Sequence, residues 1–84
     1  LVVRIAKNRF YPPETLRRLA EIAERVSTDV EDGMITAANF RDATDIGRNV
    51  AIEVLEFFDK VKFTRRVGDG HEVIRPAADA FSGD

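Results

Sequence analysis

The stretch from Arg48 to Lys62 constrains the fold most, because its apolar side chains recur with helical spacing. At about 100° per residue, its valines, leucine and phenylalanines gather on one side and its glutamates fall on the opposite side. This pattern predicts an amphipathic helix with one face in a core. We expect Asp45 to cap its first turn, and Lys60 and Lys62 to complement its negative C-terminal end.

The rest of the chain divides into a second long helix, a short helix and several strands. Leucine and alanine recur at helical spacing after Pro13, whereas β-branched and aromatic residues flank the glycine turn 68–70. The predicted elements are strands over 1–5 and 9–11, a helix over 13–27, a short strand at 34–35, a helix over 37–43 capped by Thr36, a turn over 44–47, and strands over 63–67 and 71–74.

A short helix, a tight turn, a long helix and a hairpin follow one another in the winged-helix arrangement. The predicted fold class is α/β (α+β): a winged helix with a helix-turn-helix and a two-stranded wing, preceded by a short N-terminal β-hairpin. We assign residues 1–12 to that hairpin, which is either the wing of a preceding domain or an extra edge on this one. Residues 13–75 form the winged-helix domain and residues 76–84 a flexible tail. The predicted core consists of Leu16, Leu19, Ile35, Phe40, Val50, Val54, Leu55 and Phe58.

Length and composition limit the class of protein. The chain has 84 residues, of which 44% are hydrophobic, and this is enough for one small core. It contains no cysteine, which excludes disulfides and thiolate metal sites and favours a cytoplasmic location. No apolar run reaches the roughly 20 residues of a membrane-spanning helix. Because the chain begins at Leu1 without a methionine or a signal-like segment, we expect a fragment of a longer protein.

The formal net charge is −2, so a surface that binds a polyanion must depend on local positive charge. Residues 60–75 carry five basic and two acidic side chains. In a helix-turn-helix, the first turn of the second helix points outward, and its free N–H groups favour phosphate oxygens. Of two adjacent strand residues, only one should face such a ligand. The candidate binding residues are Arg41, Gly47, Arg48, Asn49, Arg65 and Arg66.

The same arginines could instead form surface salt bridges with Asp42, Asp45 and Glu56, and composition weighs the two interpretations equally. Glu53 and Glu56 on the exposed face of the long helix argue against ordinary duplex DNA, because phosphates would repel their carboxylates. A contact limited to the first helical turn and the wing suits an RNA hairpin loop.

The sequence shows no pattern of catalytic or metal-binding residues. His71 is the only histidine, and its place beside a hairpin tip is typical of an exposed surface residue. The turn Gly68-Asp69-Gly70 is too short for a phosphate-binding loop ahead of a helix. We therefore predict no catalytic residue, no metal site and no cofactor in this chain.

Four short motifs lie in order in the second half of the chain: Phe40-Arg41-Asp42, Gly47-Arg48-Asn49, Leu55-Glu56-Phe57-Phe58-Asp59 and Thr64-Arg65-Arg66-Val67-Gly68-Asp69. Together they resemble the last winged-helix domain of the bacterial selenocysteine-specific elongation factors (SelB). The resemblance covers about residues 1–75 and is dense from Phe40 onward. The chain departs from the family at Asn49, where lysine is usual, and at Gly47, where serine is frequent.

The resemblance implies a non-catalytic module that anchors the elongation factor to the selenocysteine insertion element, an mRNA stem-loop, for UGA recoding. It implies that Arg41, Arg48, Arg65 and Arg66 grip the RNA loop. It also implies that GTP, the ribosome and selenocysteyl-tRNA bind through other parts of a longer, monomeric protein with no membrane contact. Two other functions are left open: a winged helix that binds proteins, which the acidic net charge suits, and, less favoured, a transcription-factor domain on duplex DNA.

Overall fold

Residues 1–81, which the computed structural model describes, form helices and short strands in the predicted order. The elements are β1 (Val3–Ala6), β2 (Arg9–Tyr11), α1 (Pro13–Asp29), α2 (Ala37–Thr44), α3 (Arg48–Lys60), β3 (Thr64–Val67), β4 (Gly70–Val73) and α4 (Ala77–Ala80). The strands form two antiparallel pairs, β1–β2 and β3–β4. Within the described range, no helix is long and apolar enough to cross a membrane.

Phe58 of α3 lies at the centre of an aromatic cluster. Its ring is fully buried, and its centroid lies 6.2 Å from that of Phe40 and 5.0 Å from that of Phe63, both in edge-to-face contacts. The helix α1 packs beside this cluster with its buried stripe of Leu16, Leu19, Ala20, Ala23 and Val26. All of the predicted core residues are buried except Val50, which is half-buried.

The connection between α2 and α3 is fixed by backbone geometry. A capping box begins α2: the Asn39 N–H donates to the Thr36 hydroxyl at 3.1 Å, and the Thr36 N–H donates to the Asn39 side-chain oxygen at 2.8 Å. Asp45 ends α2 in the left-handed conformation, with φ 62°, and its N–H donates to the carbonyl of Arg41. The prediction that Asp45 caps α3 was therefore wrong, and Gly47 occupies that position.

The wing, β3–β4, is joined to the helical part of the domain through an isolated β-bridge between Ile35 and His71. The N–H groups of Ile35 and His71 each donate to the other residue's carbonyl at 2.8 Å. The helix α3 ends at Lys60, two residues earlier than predicted, and Lys62 then adopts a φ of 66° that directs the chain into β3. The predicted hairpin is confirmed, whereas the strand predicted at 34–35 is reduced to the single bridge at Ile35.

The N-terminal hairpin packs on α3 and does not extend the sheet of the wing. Ile5 is buried, with 9% of its surface exposed, and belongs to the hydrophobic core. The Nε atom of Arg9 lies 2.5 Å from a carboxylate oxygen of Glu53 on α3. Besides its covalent link to α1 through Pro12, the hairpin contacts the domain through side chains. That it is the wing of a preceding domain stays a prediction.

The segment after the wing differs from the flexible tail that we predicted. The N–H of Ala77 donates to a carboxylate oxygen of Glu24 on α1 at 2.9 Å, and Ala77 is buried. The ring of Phe81 lies 5.5 Å from that of Phe58. The prediction was wrong for residues 76–81, because Pro76 begins a helical turn whose apolar side packs on α1 and the aromatic cluster. The predicted tail residues 82–84 lie outside the described residues.

Candidate nucleic-acid interface

A groove of about 480 Å³ separates the outer side of α3 from the wing, and we call it the helix–wing groove. The first turn of α2 closes one end, α3 forms one wall, and the wing forms the other. It contains two cationic, two acidic and several apolar side chains. Its lining residues are Ala37, Arg48, Ile52, Leu55, Glu56, Arg66, Asp69 and His71.

The beginning of α3 presents free donors at the edge of this groove. No side chain caps the helix, so the amide N–H groups of its first turn remain available for an acceptor. Arg48 and Asn49 are exposed and have no ion-pair or hydrogen-bond partner among residues 1–81. A Cβ atom at Gly47 would have no neighbour within 4 Å, and the φ of Gly47 is −66°, which other residues also adopt. The fold therefore does not require glycine there.

The two adjacent arginines of β3 point to opposite faces of the wing. Arg66 lines the helix–wing groove, where its Nε donates to the carbonyl of Gly68 at 3.1 Å. Arg65 pairs across the hairpin with the carboxylate of Glu72 on the other face. The structure therefore brings Arg66 and Arg48 to one groove and leaves Arg65 outside it.

Arg41 is the remaining arginine of the predicted set, and it does not line the groove. Its guanidinium lies 3.4 Å from the carboxylate of its neighbour Asp42. Arg75, which contributed to the basic segment, has a structural position: it donates to the carbonyls of Lys62 at 3.0 Å and Val61 at 2.8 Å. These contacts satisfy carbonyls at the C-terminal end of α3. The six predicted residues thus divide between a shared groove and separate surface positions.

The two glutamates of α3 have different surroundings. Glu53 faces the N-terminal hairpin, where its hydrogen bond with Arg9 raises the pKa of that guanidinium above its ordinary value. Glu56 is exposed and lines the helix–wing groove together with Asp69. Because Arg9 balances the charge of Glu53, Glu56 is the glutamate of α3 that still argues against nucleic acid here, and Asp69 adds a second carboxylate to the groove.

A family model described as the winged helix of elongation factor SelB, its third such domain, matches residues 30–73, which is more than half of the chain. This chain belongs to the SelB winged-helix family. The resemblance seen in the sequence is thereby confirmed. Because the family model describes a third domain, the position of the chain as the last winged helix of its parent stays a prediction.

Curated relatives of this SelB winged helix are selenocysteine-specific elongation factors. The protein of Escherichia coli K12 is 40% identical over 72 residues, which are 84% of this chain and 11% of the relative. The Haemophilus influenzae protein is 33% identical over 67 residues, which are 80% of this chain and 10% of the relative. The chain therefore spans about a tenth of the length of these curated relatives.

A solved structure of the mRNA-binding domain of E. coli SelB, in complex with SECIS RNA, has the same fold. It matches with a TM-score of 0.79 and 36% sequence identity, over 86% of this chain and 58% of that chain. The winged-helix fold class is confirmed by this match and by the family model. The RNA contacts of the six predicted residues stay predictions.

Sequence reasoning misplaced His71 in this SelB winged helix. The residue is only 7% exposed, and its Nδ1 lies 2.9 Å and 3.0 Å from the two carboxylate oxygens of Asp59. The hydroxyl of Thr64 donates to the same carboxylate at 2.6 Å. The prediction of an exposed histidine was wrong because His71 points inward from β4, on the same face as Val73. Strand alternation could have given that signal.

The Asp59 network connects the end of α3 with both strands of the wing, and His71 also lines the helix–wing groove. The Asp59 network therefore fixes the distance between α3 and the wing, which are the two walls of the groove. Among residues 1–81, no group of three histidine, cysteine or acidic side chains is arranged to hold a metal ion. The arrangement offers hydrogen-bond donors, two cations and two carboxylates for binding a ligand.

Proposed function

We propose that this domain binds an mRNA stem-loop of the selenocysteine insertion type and anchors a selenocysteine-specific elongation factor to it during UGA recoding. The likeness to the mRNA-binding domain of E. coli SelB in complex with SECIS RNA carries the proposal. The domain contributes binding and no catalytic step, and it needs no cofactor of its own.

The helix–wing groove offers a physical basis for such binding. The free N–H groups of α3 and the guanidinium of Arg48 suit a phosphate at one edge, and Arg66 suits a phosphate at the other. Glu56 and Asp69 suit a different partner, because carboxylates accept hydrogen bonds from the amino groups of bases. Donors and acceptors in one groove fit an RNA loop whose bases are turned out of the stack.

A fluorescence-anisotropy titration tests this proposal. The titrants are an RNA hairpin from just downstream of an in-frame UGA codon, the same stem with a scrambled loop, and a DNA duplex of equal length. We expect tight binding to the first and weak binding to the others. We also expect the affinity for the hairpin to fall steeply with salt, because phosphate contacts release counterions. Equal affinity for all three ligands would refute the proposal.

Two substitutions test the residues of the groove. Arg48→Ala and Arg66→Ala should each weaken hairpin binding by about fivefold, since each removes a phosphate-binding cation. The melting temperature should stay nearly unchanged, because neither side chain is buried. The matched control is Arg18→Ala, which removes an exposed arginine from α1, outside the groove. Unchanged affinity in the groove variants would exclude these side chains from the interface.

A protein-binding winged helix is the second candidate, and the pairing of Arg41 and Arg65 with carboxylates favours it. Paired surface charges reduce the positive potential that a polyanion needs. Uniformly weak binding in the titration, together with no loss in the Arg48→Ala variant, would favour this candidate over the RNA proposal.

We extend the proposal to the longer protein with the functions expected from the family. That protein would bind GTP and selenocysteyl-tRNA through other domains, act on the ribosome in the cytoplasm, and be a monomer. A GTPase assay of the full-length protein on ribosomes, with and without the stem-loop, tests the binding and hydrolysis of GTP. Light scattering of the same protein measures its molecular mass and so tests whether it is a monomer. GTP hydrolysis that is absent under both conditions would refute this extension while leaving RNA binding by the domain intact.

A further inference from the structure

A second groove lies on the other side of α3, between its C-terminal half and the N-terminal hairpin. We call it the hairpin groove. Its volume is about 360 Å³, and three of its six lining side chains are cationic. In contrast to the helix–wing groove, it has no acidic lining residue. The lining residues are Arg4, Ile5, Ala6, Lys7, Phe57 and Lys60.

The three cations of this groove are not neutralised within residues 1–81. Arg4 donates only to the carbonyl of Ala6, at 3.3 Å, and neither Lys7 nor Lys60 has a hydrogen-bond or ion-pair partner there. The C-terminal end of α3 accounts for Lys60, because a helix dipole favours a cation at that end. Neither Arg4 nor Lys7 lies at a helix end, and the contact of Arg4 with a neutral carbonyl leaves its charge unbalanced. A chain with a net charge of −2 thus concentrates unpaired positive charge at one place.

The hairpin groove and the helix–wing groove lie along the same helix, α3. Arg48 at one end of α3 and Lys60 at the other are twelve residues apart, which is about 18 Å along the helix axis. Along α3 between these two residues, Glu53 is held in an ion pair by Arg9, and the exposed Glu56 lines the helix–wing groove. A nucleic acid that runs along α3 from Arg48 to Lys60 would therefore pass the paired charge of Glu53 and the carboxylate of Glu56 before it reaches the cations of the hairpin groove.

We propose that the hairpin groove is a second RNA-binding site, which contacts the phosphate backbone of the stem while the helix–wing groove holds the loop. This inference rests on the proposed function. A stem carries phosphates along its whole length, so contact there is independent of base sequence and adds affinity in proportion to the cations engaged. Ile5 and Phe57 contribute apolar surface to the lining beside the three cations.

A double variant and two hairpins with the same loop test this site. The variant is Lys7→Gln with Lys60→Gln. The matched control, Arg18→Gln with Arg25→Gln, removes the same charge from exposed positions on α1. One hairpin has a stem just long enough to close the loop, and the other has a stem roughly twice as long. Affinities are measured by fluorescence anisotropy over a range of salt concentrations.

The proposed stem site predicts an effect that depends on stem length. The groove variant should bind the long hairpin about fivefold more weakly than wild type and the short one almost equally. The slope of log affinity against log salt on the long hairpin should become shallower by about two, one for each phosphate that the variant no longer neutralises. The α1 control should match wild type on both hairpins.

The other outcomes overturn the inference. Equal reductions in affinity for the groove variant and the α1 control would mean that only the overall charge matters. An unchanged affinity on the long hairpin would leave the groove to another partner, such as an acidic peptide, and exclude the stem. Both results are distinguishable from failure of the proposed function, which would appear as wild-type protein binding the scrambled loop equally well.

Discussion

Two β-hairpins flank α3, and they are held to it in different ways. The wing is joined to α3 by a carboxylate of Asp59, which contacts side chains from both of its strands, and to Ile35 by two backbone hydrogen bonds. The N-terminal hairpin has one buried side chain, Ile5, and a partly exposed ion pair between Arg9 and Glu53.

The difference lies in the kind of interaction that positions each hairpin. Buried polar groups cost about 1–3 kcal/mol when a partner is removed, so the wing has a well-defined position relative to α3. Exposed ion pairs contribute roughly 0–1 kcal/mol, so the N-terminal hairpin depends mainly on apolar contact. One wall of the helix–wing groove is therefore positioned by buried hydrogen bonds, whereas the corresponding wall of the hairpin groove is positioned mainly by apolar contacts.

The Asp59→Ala variant should have the largest effect, and it tests how firmly the wing is held. Removing the carboxylate leaves the hydroxyl of Thr64 and the ring of His71 buried without their partner. We expect the free energy of unfolding to fall by about 3 kcal/mol in urea denaturation. Asp69→Ala, at the exposed tip of the wing, is the control and should have almost no effect. A decrease below about 1 kcal/mol for Asp59→Ala would remove the contrast between the hairpins.

The Ile5→Ala variant tests the N-terminal hairpin. Deleting most of this buried side chain should reduce the free energy of unfolding by about 2 kcal/mol. Amide hydrogen exchange should accelerate in β1 and β2, while the His71 amide stays protected by its bond to Ile35. Val2→Ala at an exposed position is the control. Equal acceleration in both hairpins would show that they open as one unit.

The Gly70→Ala variant tests the contact between the wing and the segment that contains Met34 and Ile35. A Cβ atom at Gly70 would lie 3.1 Å from the Cβ of Met34, so one of the two segments must move. We expect the free energy of unfolding, measured in urea, to fall by about 1 kcal/mol. Gly47→Ser is a matched control, because a Cβ at Gly47 has open space and serine can cap α3. Stability equal to wild type in Gly70→Ala would mean that this segment accommodates the methyl group.

The ion pair between Arg9 and Glu53 should have the smallest effect. A double-mutant cycle with Arg9→Gln and Glu53→Gln should give a coupling energy of about 0.5 kcal/mol, which salt should reduce further. The same cycle on the exposed pair Arg65–Glu72 provides the comparison. A coupling above about 2 kcal/mol would show that the ion pair, rather than Ile5, positions the N-terminal hairpin.

The fold could be predicted from sequence because its signals are local. Helical spacing of apolar residues predicted α1 and α3, and the side chain of Thr36 predicted the start of α2. The prediction that Asp45 caps α3 failed because a second local role was open to this residue. Asp45 adopts the left-handed backbone conformation that ends α2. The tail was missed because its helical turn depends on Glu24, which is 53 residues away in sequence.

The candidate site could be predicted only in part. The helical spacing of apolar residues placed Arg48 at the outward-facing start of α3. The alternation of side chains along a strand showed that Arg65 and Arg66 point to opposite faces of the wing. Neither pattern identifies which arginine has a carboxylate opposite it, because that depends on the pairing register of the wing. The ion pair of Glu53 was missed because its partner Arg9 is 44 residues away in sequence. Strand alternation could have shown that His71 points inward, but not that Asp59 is its partner.

The α3 helix has a consequence for how chains of this kind can vary in length. Arg48 at its start lines the helix–wing groove, and Asp59 and Lys60 at its end face the wing and the hairpin groove. One inserted residue would rotate everything beyond it by about 100° and shift it by about 1.5 Å, which would turn Asp59 away from His71. Insertions and deletions should therefore be absent from α3 and tolerated at the exposed tip beside Asp69, where added residues would enlarge the groove without changing its register.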